Sequence, residues 1–267
     1  ATMRSVERVA AAMGDLQAAP IVFEAARDIP QGGVLLAVPA LLVMGLLHCS
    51  HELYALPNGF YGLSSVFLLL ALMALARIPS IEQLRYVAPG EWGNLLGLDR
   101  IPEVRTLRTK LEVLCAELGR AARWNTELAK DWMGQLPDGE MLFYIDGHVR
   151  VYHGSQTELP RHYVARQRLC LRATTDYWIN AMDGQPFFYV NKEADPGLLA
   201  TLRQDLVPWL EANMTIPAQP LGLMAAGPRQ PWFTIIVDRE GYSPDFFAGM
   251  EAEILEEDNL SGSQRSS

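Results

Sequence analysis

Two aspartates stand where apolar runs end. Asp146 follows Met141–Ile145, "MLFYI", and Asp238 follows Phe233–Val237, "FTIIV". Such runs read as strands buried on both faces, and ligands collect at the C-terminal ends of strands of that kind. If the two strands are neighbours, both carboxylates leave one edge of a sheet. Carboxylates a few ångströms apart repel each other unless a cation neutralises them. Magnesium suits that arrangement, because it takes oxygen ligands, keeps several waters and leaves positions for phosphate oxygens. Two such ions can clamp the entering and leaving oxygens of an in-line displacement at phosphorus. Each aspartate alone also has a plainer explanation. Asp146-Gly147 is a turn dipeptide, and Asp238 stands shortly before a helix start near Ser243-Pro244, as a loop residue or a partner for a nearby amide. Only the shared order, strand then acid, favours a metal.

A second group is basic. Arg150, Arg161, Arg166, Arg168 and Arg172 fall between residues 147 and 172, opposed there only by Glu158. Arg161, Arg166, Arg168 and Arg172 either meet phosphates or form the solvated face of a strand and loop. His148 and His153 are five apart on a strand, hence on opposite faces and no shared ligand pair. His48 and His51 read as a loop beside a helix end, and Ser155 lacks the setting of a hydrolase nucleophile. Tyr152, Tyr163, Tyr177 and Trp178 could stack on bases, although core packing explains them as well.

The elements that must position these residues divide near 137–140. Before that boundary the chain reads as helical, opening with a weak helix and a loop over residues 1–30. Val34–Leu47 and Val66–Ala76 read as buried core helices, the second capped by Ser64 or Ser65. "SIEQ", Ser80–Gln83, is a capping-box pattern. In "IPEVRTLRTKLEVLCAELG", Pro102 sits in the first turn and Gly119 past the end, with Val104, Leu107, Leu111, Leu114 and Leu118 on one face. A short helix over 125–136 follows, with Leu128, Trp132 and Leu136 aligned. After Pro137-Asp138-Gly139 the texture turns to strands. Met141–Ile145 and Val149–Tyr152 read as a hairpin through Asp146-Gly147-His148, and Asp183-Gly184 marks a second hairpin. "PGLLATLRQDLVPWLEAN" reads as a helix with Leu199, Leu202, Leu206 and Leu210 in register. A Pro- and Gly-rich loop, Pro217–Pro231, leads to the strand before Asp238. The order is that of an α/β or α+β core behind a helical region.

Composition sets bounds on partners. A chain of 267 residues that is 49% hydrophobic and 20% charged has material for a sizeable core. Its net charge of −9 argues against evenly spread nucleic-acid binding, yet acids gather in the last residues, Asp245, Glu251, Glu253, Glu256, Glu257 and Asp258. A local basic surface is therefore compatible with an acidic protein. Neither long apolar run reaches the roughly 20 residues that a membrane helix needs. Cys49, Cys115 and Cys170 show no disulfide or zinc spacing, which fits a reducing interior.

"YIDGHVRVYHG", "LRATTDYWIN" and "FTIIVDREGYSP" together resemble bacterial DDE-type transposases of the insertion-sequence kind. The stretch from Tyr61 to Leu111 is similar to the segment upstream of their catalytic domain, and the likeness covers roughly residues 32–247. The resemblance implies a ribonuclease H-like core over 138–250, behind a helical region over 1–137 and before a disordered acidic, Ser-rich tail over 251–267. It implies Asp146 and Asp238 as the first two acids of the catalytic triad and as magnesium ligands. The implied activity is magnesium-dependent DNA strand cleavage and transfer, by a homo-oligomer on transposon ends and target DNA in the bacterial cytoplasm. One departure stands out. The family carries a third acid, usually Glu, on a helix well downstream of the second Asp. Here Glu251, Glu253, Glu256 and Glu257 lie in a polar tail with no strand and helix to deliver them. The expectation is a truncated core with an incomplete two-metal site; the alternative is an inactive remnant that only binds DNA or oligomerises.

Overall fold

The computed structural model describes residues 3–135, 142–154, 157–164, 167–182, 184, 186–193, 196–213, 233–238, 243–246 and 248–249. Two compact units divide between Leu128 and Ala129. Helices and a five-stranded mixed sheet make the chain α/β, as expected.

The first unit contains α1 (Ser5–Met13), α2 (Val38–Val43), α3 (Ser50–Leu53), α4 (Leu63–Leu75), α5 (Pro89–Leu95), α6 (Val104–Cys115) and the start of α7 (Arg120–Met133). α4 is apolar all round, so it has no face to give to water and becomes the centre of the unit. Leu69 and Leu72 have no exposed surface. Phe67 on α4 packs with Tyr54 and Trp124 in mutual edge and tilted contacts, with centroids 5.0 to 5.9 Å apart. Near the chain start, Arg8 Nε donates to Asp99 Oδ2 at 2.8 Å while its guanidinium lies 3.9 Å from the Phe60 ring centroid. Burial works to raise the Asp99 carboxyl, but the hydrogen bond and charge of Arg8 outweigh it and leave Asp99 below the usual carboxylate range.

Several local expectations change here. Val66–Ala76 is the buried helix foreseen, but Val34–Leu47 is not. Residues Gly32–Ala37 wind as a 3-10 turn, α2 has no buried residue, and Leu36 and Val43 are almost fully exposed. Pro39 and Gly45, the latter at φ +97°, cut the run too short to present a complete face. α4 begins at Leu63 with Gly62 as its cap residue, and the Ser65 hydroxyl instead donates back to Gly62 O at 2.8 Å. Ser80 caps nothing through its side chain and leads into a 3-10 turn, Ile81–Tyr86. α6 ends at Cys115, so Leu118 falls outside it and is exposed. α7 starts at Arg120, earlier than read from the sequence.

In the second unit the strands are β1 (Leu142–Val151), β2 (Arg161–Val164), β3 (Leu169–Ala181), β4 (Pro186–Lys192) and β5 (Thr234–Ile236). Long β3 is the hub. Its first part pairs antiparallel with β2, and its second part pairs antiparallel with β1 on one side and β4 on the other. β5 runs parallel to β1 on the far side of β1. The β3–β4 hairpin turns where Asp183-Gly184 predicts, with Gly184 at φ +84°. The hairpin expected at Asp146-Gly147 does not exist. β1 runs straight through it, with Gly147 opposite Tyr177. A Cβ at Gly147 would sit 3.1 Å from the Tyr177 ring, so this glycine makes room for an aromatic instead of making a turn.

Phe143, Ile145, Tyr177, Ile179 and Phe188 form the core face of the sheet. A continuous helical segment, α8 (Leu198–Thr201), a π turn (Leu202–Leu206) and α9 (Val207–Asn213), buries Leu202, Leu206 and Leu210 against that face. Pro208 lacks an N–H and crowds the carbonyl four residues before it, and the wider π turn relieves that conflict. Further on, Ser243 Oγ accepts from Phe246 N–H at 3.3 Å, at the helix start expected near Ser243-Pro244.

Candidate functional site

The paired register of β1 and β5 is Leu142↔Thr234, Phe143↔Ile235 and Tyr144↔Ile236. Asp146 and Asp238 each follow the last of these pairs by two residues. Side chains alternate along a strand, so both belong to the face that carries Tyr144 and Ile236, opposite the core. Burial agrees: Phe143, Ile145, Ile235 and Val237 turn inward, while Asp146 and Asp238 are exposed. Adjacency and parallel direction, both anticipated for these strands, are thus present. Two expectations fail here: Asp146 lies within β1 and not at its end, and the strands are buried on one face only, with Tyr144 and Ile236 exposed on the other.

The same outer face continues onto β3 and β4. Opposite Asp146 stands Trp178, and opposite His148 stands Asp176. Asp176 also faces Asn191, and Trp178 faces Tyr189. Asp176 is an unusual occupant of an outward position, since its side chain has no exposed surface. Its Oδ1 accepts from the Tyr189 hydroxyl at 2.8 Å and from Asn191 Nδ2 at 2.6 Å. Its Oδ2 forms an ion pair with Arg150 Nη2 at 2.6 Å. A buried carboxylate is tolerated only when it is paired and hydrogen-bonded, and three neighbours do that here. Burial, then the hydrogen bond to Asp176 and its charge, pushes the Tyr189 phenol up to about 12. The ring of Tyr189 lies 4.6 Å from that of Trp178.

The basic group lies further along this face. Arg161 on β2 stands directly opposite Arg172 on β3. By alternation from Thr174, which faces Arg150, Arg172 is on the Arg150 side of the sheet. Like charges directly opposite each other on a sheet destabilise it, and neither arginine forms an ion pair among the described residues. Arg168 is exposed in the β2–β3 turn at φ +54°, and Arg166 lies outside the described residues.

Other candidates separate from this face. Tyr177 is core, Tyr163 and His153 are exposed, and Ser155 is outside the described residues. His51 bonds Ser64 Oγ at 3.0 Å in the first unit. No disulfide joins Cys49, Cys115 or Cys170. A cavity of about 640 Å³ in the first unit, lined by Arg8, Arg85, Pro89, Arg100 and Arg105 among others, contains neither Asp146 nor Asp238. Among the described residues no three His, Cys, Asp or Glu side chains are grouped to hold a metal ion, and no helix is long and apolar enough to cross a membrane. The donor chemistry of Asp146 and Asp238 nevertheless suits a hard cation, being oxygen-only, exposed and on one face of neighbouring strands. The Glu251, Glu253, Glu256 and Glu257 carboxylates lie outside the described residues.

Sequence reasoning missed the Asp176 network. A charged residue in mid-strand, between Thr175 and Tyr177, was the available signal, but its partners come from two other strands.

A family model described as "Transposase protein" matches residues 1–256. No curated protein and no solved structure matches the chain.

Proposed function

The chain belongs to this transposase family, and from that premise we propose that it acts on DNA through a DDE-type carboxylate site on the outer face of β1 and β5. The carrying observation is the equivalent placement of Asp146 and Asp238 beyond the Tyr144↔Ile236 pair of two parallel neighbours. Sheet order supports a ribonuclease H-like core. β1 is flanked by antiparallel β3, itself paired with β4, on one side and by parallel β5 on the other.

Asp146 and Asp238 would hold magnesium, which when bound supplies charge neutralisation at the reacting phosphate and a more acidic attacking hydroxyl. The chain's own residues have three tasks. The two carboxylates fix where the scissile phosphate sits relative to the sheet. Arg161, Arg166, Arg168 and Arg172 hold the DNA backbone by charge-assisted contacts. The rigid ladder beneath keeps both sets in register. Oligomerisation on transposon ends and a bacterial cytoplasmic setting belong to the same reading. Catalysis needs a third acid. On this reading the catalytic core spans 138–250, and Asp146 and Asp238 by themselves bind magnesium weakly.

The test begins with Mn²⁺ as a paramagnetic substitute, titrated into the purified chain. Weak binding is expected, and Asp146→Asn and Asp238→Asn should each remove it. Unchanged binding in both variants would overturn the assignment. Labelled DNA carrying the element's ends is then assayed with this chain in the presence of the metal. Any cleavage should fall about a hundred- to a thousandfold in Asp146→Asn, as expected when a group central to transition-state charge stabilisation is lost. The second reading, a DNA-binding or oligomerising remnant without activity, is the other outcome of this assay. Retained DNA binding with no metal-dependent cleavage would select it.

A further inference from the structure

We propose that Trp178 and Arg150 form a subsite for one unpaired nucleotide of DNA, the indole under the base and the guanidinium on its phosphate, with Asp176 holding both in place. The inference rests on the transposase reading and adds to it a binding element beside the carboxylates.

Four observations converge. Trp178 is directly opposite Asp146, and such cross-strand partners have Cβ atoms about 5 Å apart. A base lying on this ring is thus next to a phosphate held at Asp146. The ring is 38% exposed, on a face where a half-exposed Trp gains little from the core. Tyr189 supports it from the neighbouring strand, at 4.6 Å between centroids. Tyr189 in turn is pinned through its hydroxyl to Asp176.

Arg150 supplies the cation. Its side chain is 63% exposed although it is paired with a carboxylate that has no exposed surface. The buried end fixes the guanidinium, and the remaining N–H groups of its fork face outward for a second anion. Along β1, Arg150 follows Asp146 by four residues on the same face, about 13 Å at the strand rise. Arg172 and Arg161 extend the positive track beyond it. Asp176 therefore explains itself: an outward position would ordinarily carry a solvated residue, and a buried acid there serves to lock a cation and an aromatic support together. Stacking on an aromatic ring tolerates any base and contributes roughly 1–3 kcal/mol, whereas the phosphate contact adds salt-dependent affinity without sequence preference.

The experiment separates base from phosphate and avoids catalysis. Fluorescein-labelled oligodeoxyadenylate of about twelve nucleotides, within the usual size of a single-strand site, is titrated into the full chain in EDTA. A strand of equal length made of abasic sugar-phosphate units is titrated beside it. The wild-type chain should prefer the base-bearing strand by about tenfold or more. Trp178→Ala should erase that preference and leave abasic binding unchanged, and Trp178→Phe should keep most of it. Arg150→Ala should weaken both strands equally and lower the salt slope by about 0.7, the value for one phosphate on a single strand. A Trp178→Ala chain that still prefers bases, while its circular dichroism matches wild type, overturns the subsite alone. No binding of either strand by the wild-type chain overturns the DNA reading itself. Loss of a dimer in Trp178→Ala by sedimentation, with the base preference intact, assigns the ring to a second copy and likewise overturns the subsite.

Discussion

Asp176 and Tyr189 show how one residue's surroundings turn into a measurable property. The phenol is pushed up to about 12 because burial disfavours its charged form and a carboxylate accepts its proton in a hydrogen bond. A group whose acid form the fold prefers stabilises the fold fully below its unfolded value, near 10 for tyrosine. That contribution fades as pH rises through 10 towards 12, because there the folded state binds more protons than the unfolded one. Tyr189→Phe removes the hydrogen bond and is expected to cost roughly 1.5–3 kcal/mol at neutral pH. The gap between variant and wild type should close between pH 10 and 12 in urea titrations of the second unit. A gap that stays constant over that range would show that the hydroxyl is not held as described. None of this was readable in the sequence, since Asp176 takes its partners from strands far along the chain. Asp146 and Asp238 drew notice as candidates because each marks itself locally, as an acid after an apolar run. Their strands are indeed adjacent and parallel.

At the level of elements, local signals served where a residue's role is local and misled where tertiary contact decides. The chain turns back between β3 and β4, with Gly184 at positive φ, where a turn was predicted, but Asp146-Gly147 makes no turn, because Tyr177 across the ladder needs the space that Gly147 leaves. Pro208 disturbs its helix without ending it, because Leu202, Leu206 and Leu210 still bury one stripe against the sheet. Val34–Leu47 failed as a core helix since Pro39 and Gly45 break the run into a 3-10 turn and a helix of six residues, too short to bury a complete face. Gly93 offers a test of packing between elements. It lies in α5, and a Cβ there would meet Arg100 backbone atoms at 2.4 Å. Backbone cannot swing aside like a side-chain tip, so Gly93→Ala must push α5 off the chain at Asp99–Arg100. A loss of about 3 kcal/mol or more is expected, in the range of overpacking that also shifts backbone. Thermal melts that shift by less than a degree or two would mean the approach is looser than the structure has it.

For the whole molecule, the relevant fact is that the chain builds two cores. One gathers around Leu69 and Leu72 on α4, the other around Phe143, Tyr177 and Leu206. The composition gave enough apolar material for a large core, but not its partition; that follows from α4 having no polar side and from the sheet having one apolar and one polar face. The polar face carries the carboxylates and arginines on a chain of net charge −9, so the proposed binding to DNA would depend on local and not total charge. Two cores also predict how the chain comes apart. Leu72→Ala and Leu206→Ala each delete a side chain with no exposed surface and should each cost about 2–5 kcal/mol within their own unit. Because the two side chains belong to separate hydrophobic clusters among the described residues, the effects should be independent. Calorimetry should therefore resolve two transitions, with Leu72→Ala lowering one midpoint and Leu206→Ala lowering the other. The transition moved by Leu206→Ala should also be the one that Mn²⁺ raises and Asp146→Asn leaves unresponsive, since a ligand stabilises only the unit that binds it. A single transition lowered by both substitutions would show that the two cores unfold as one, and the carboxylate face would then be coupled to the helical unit.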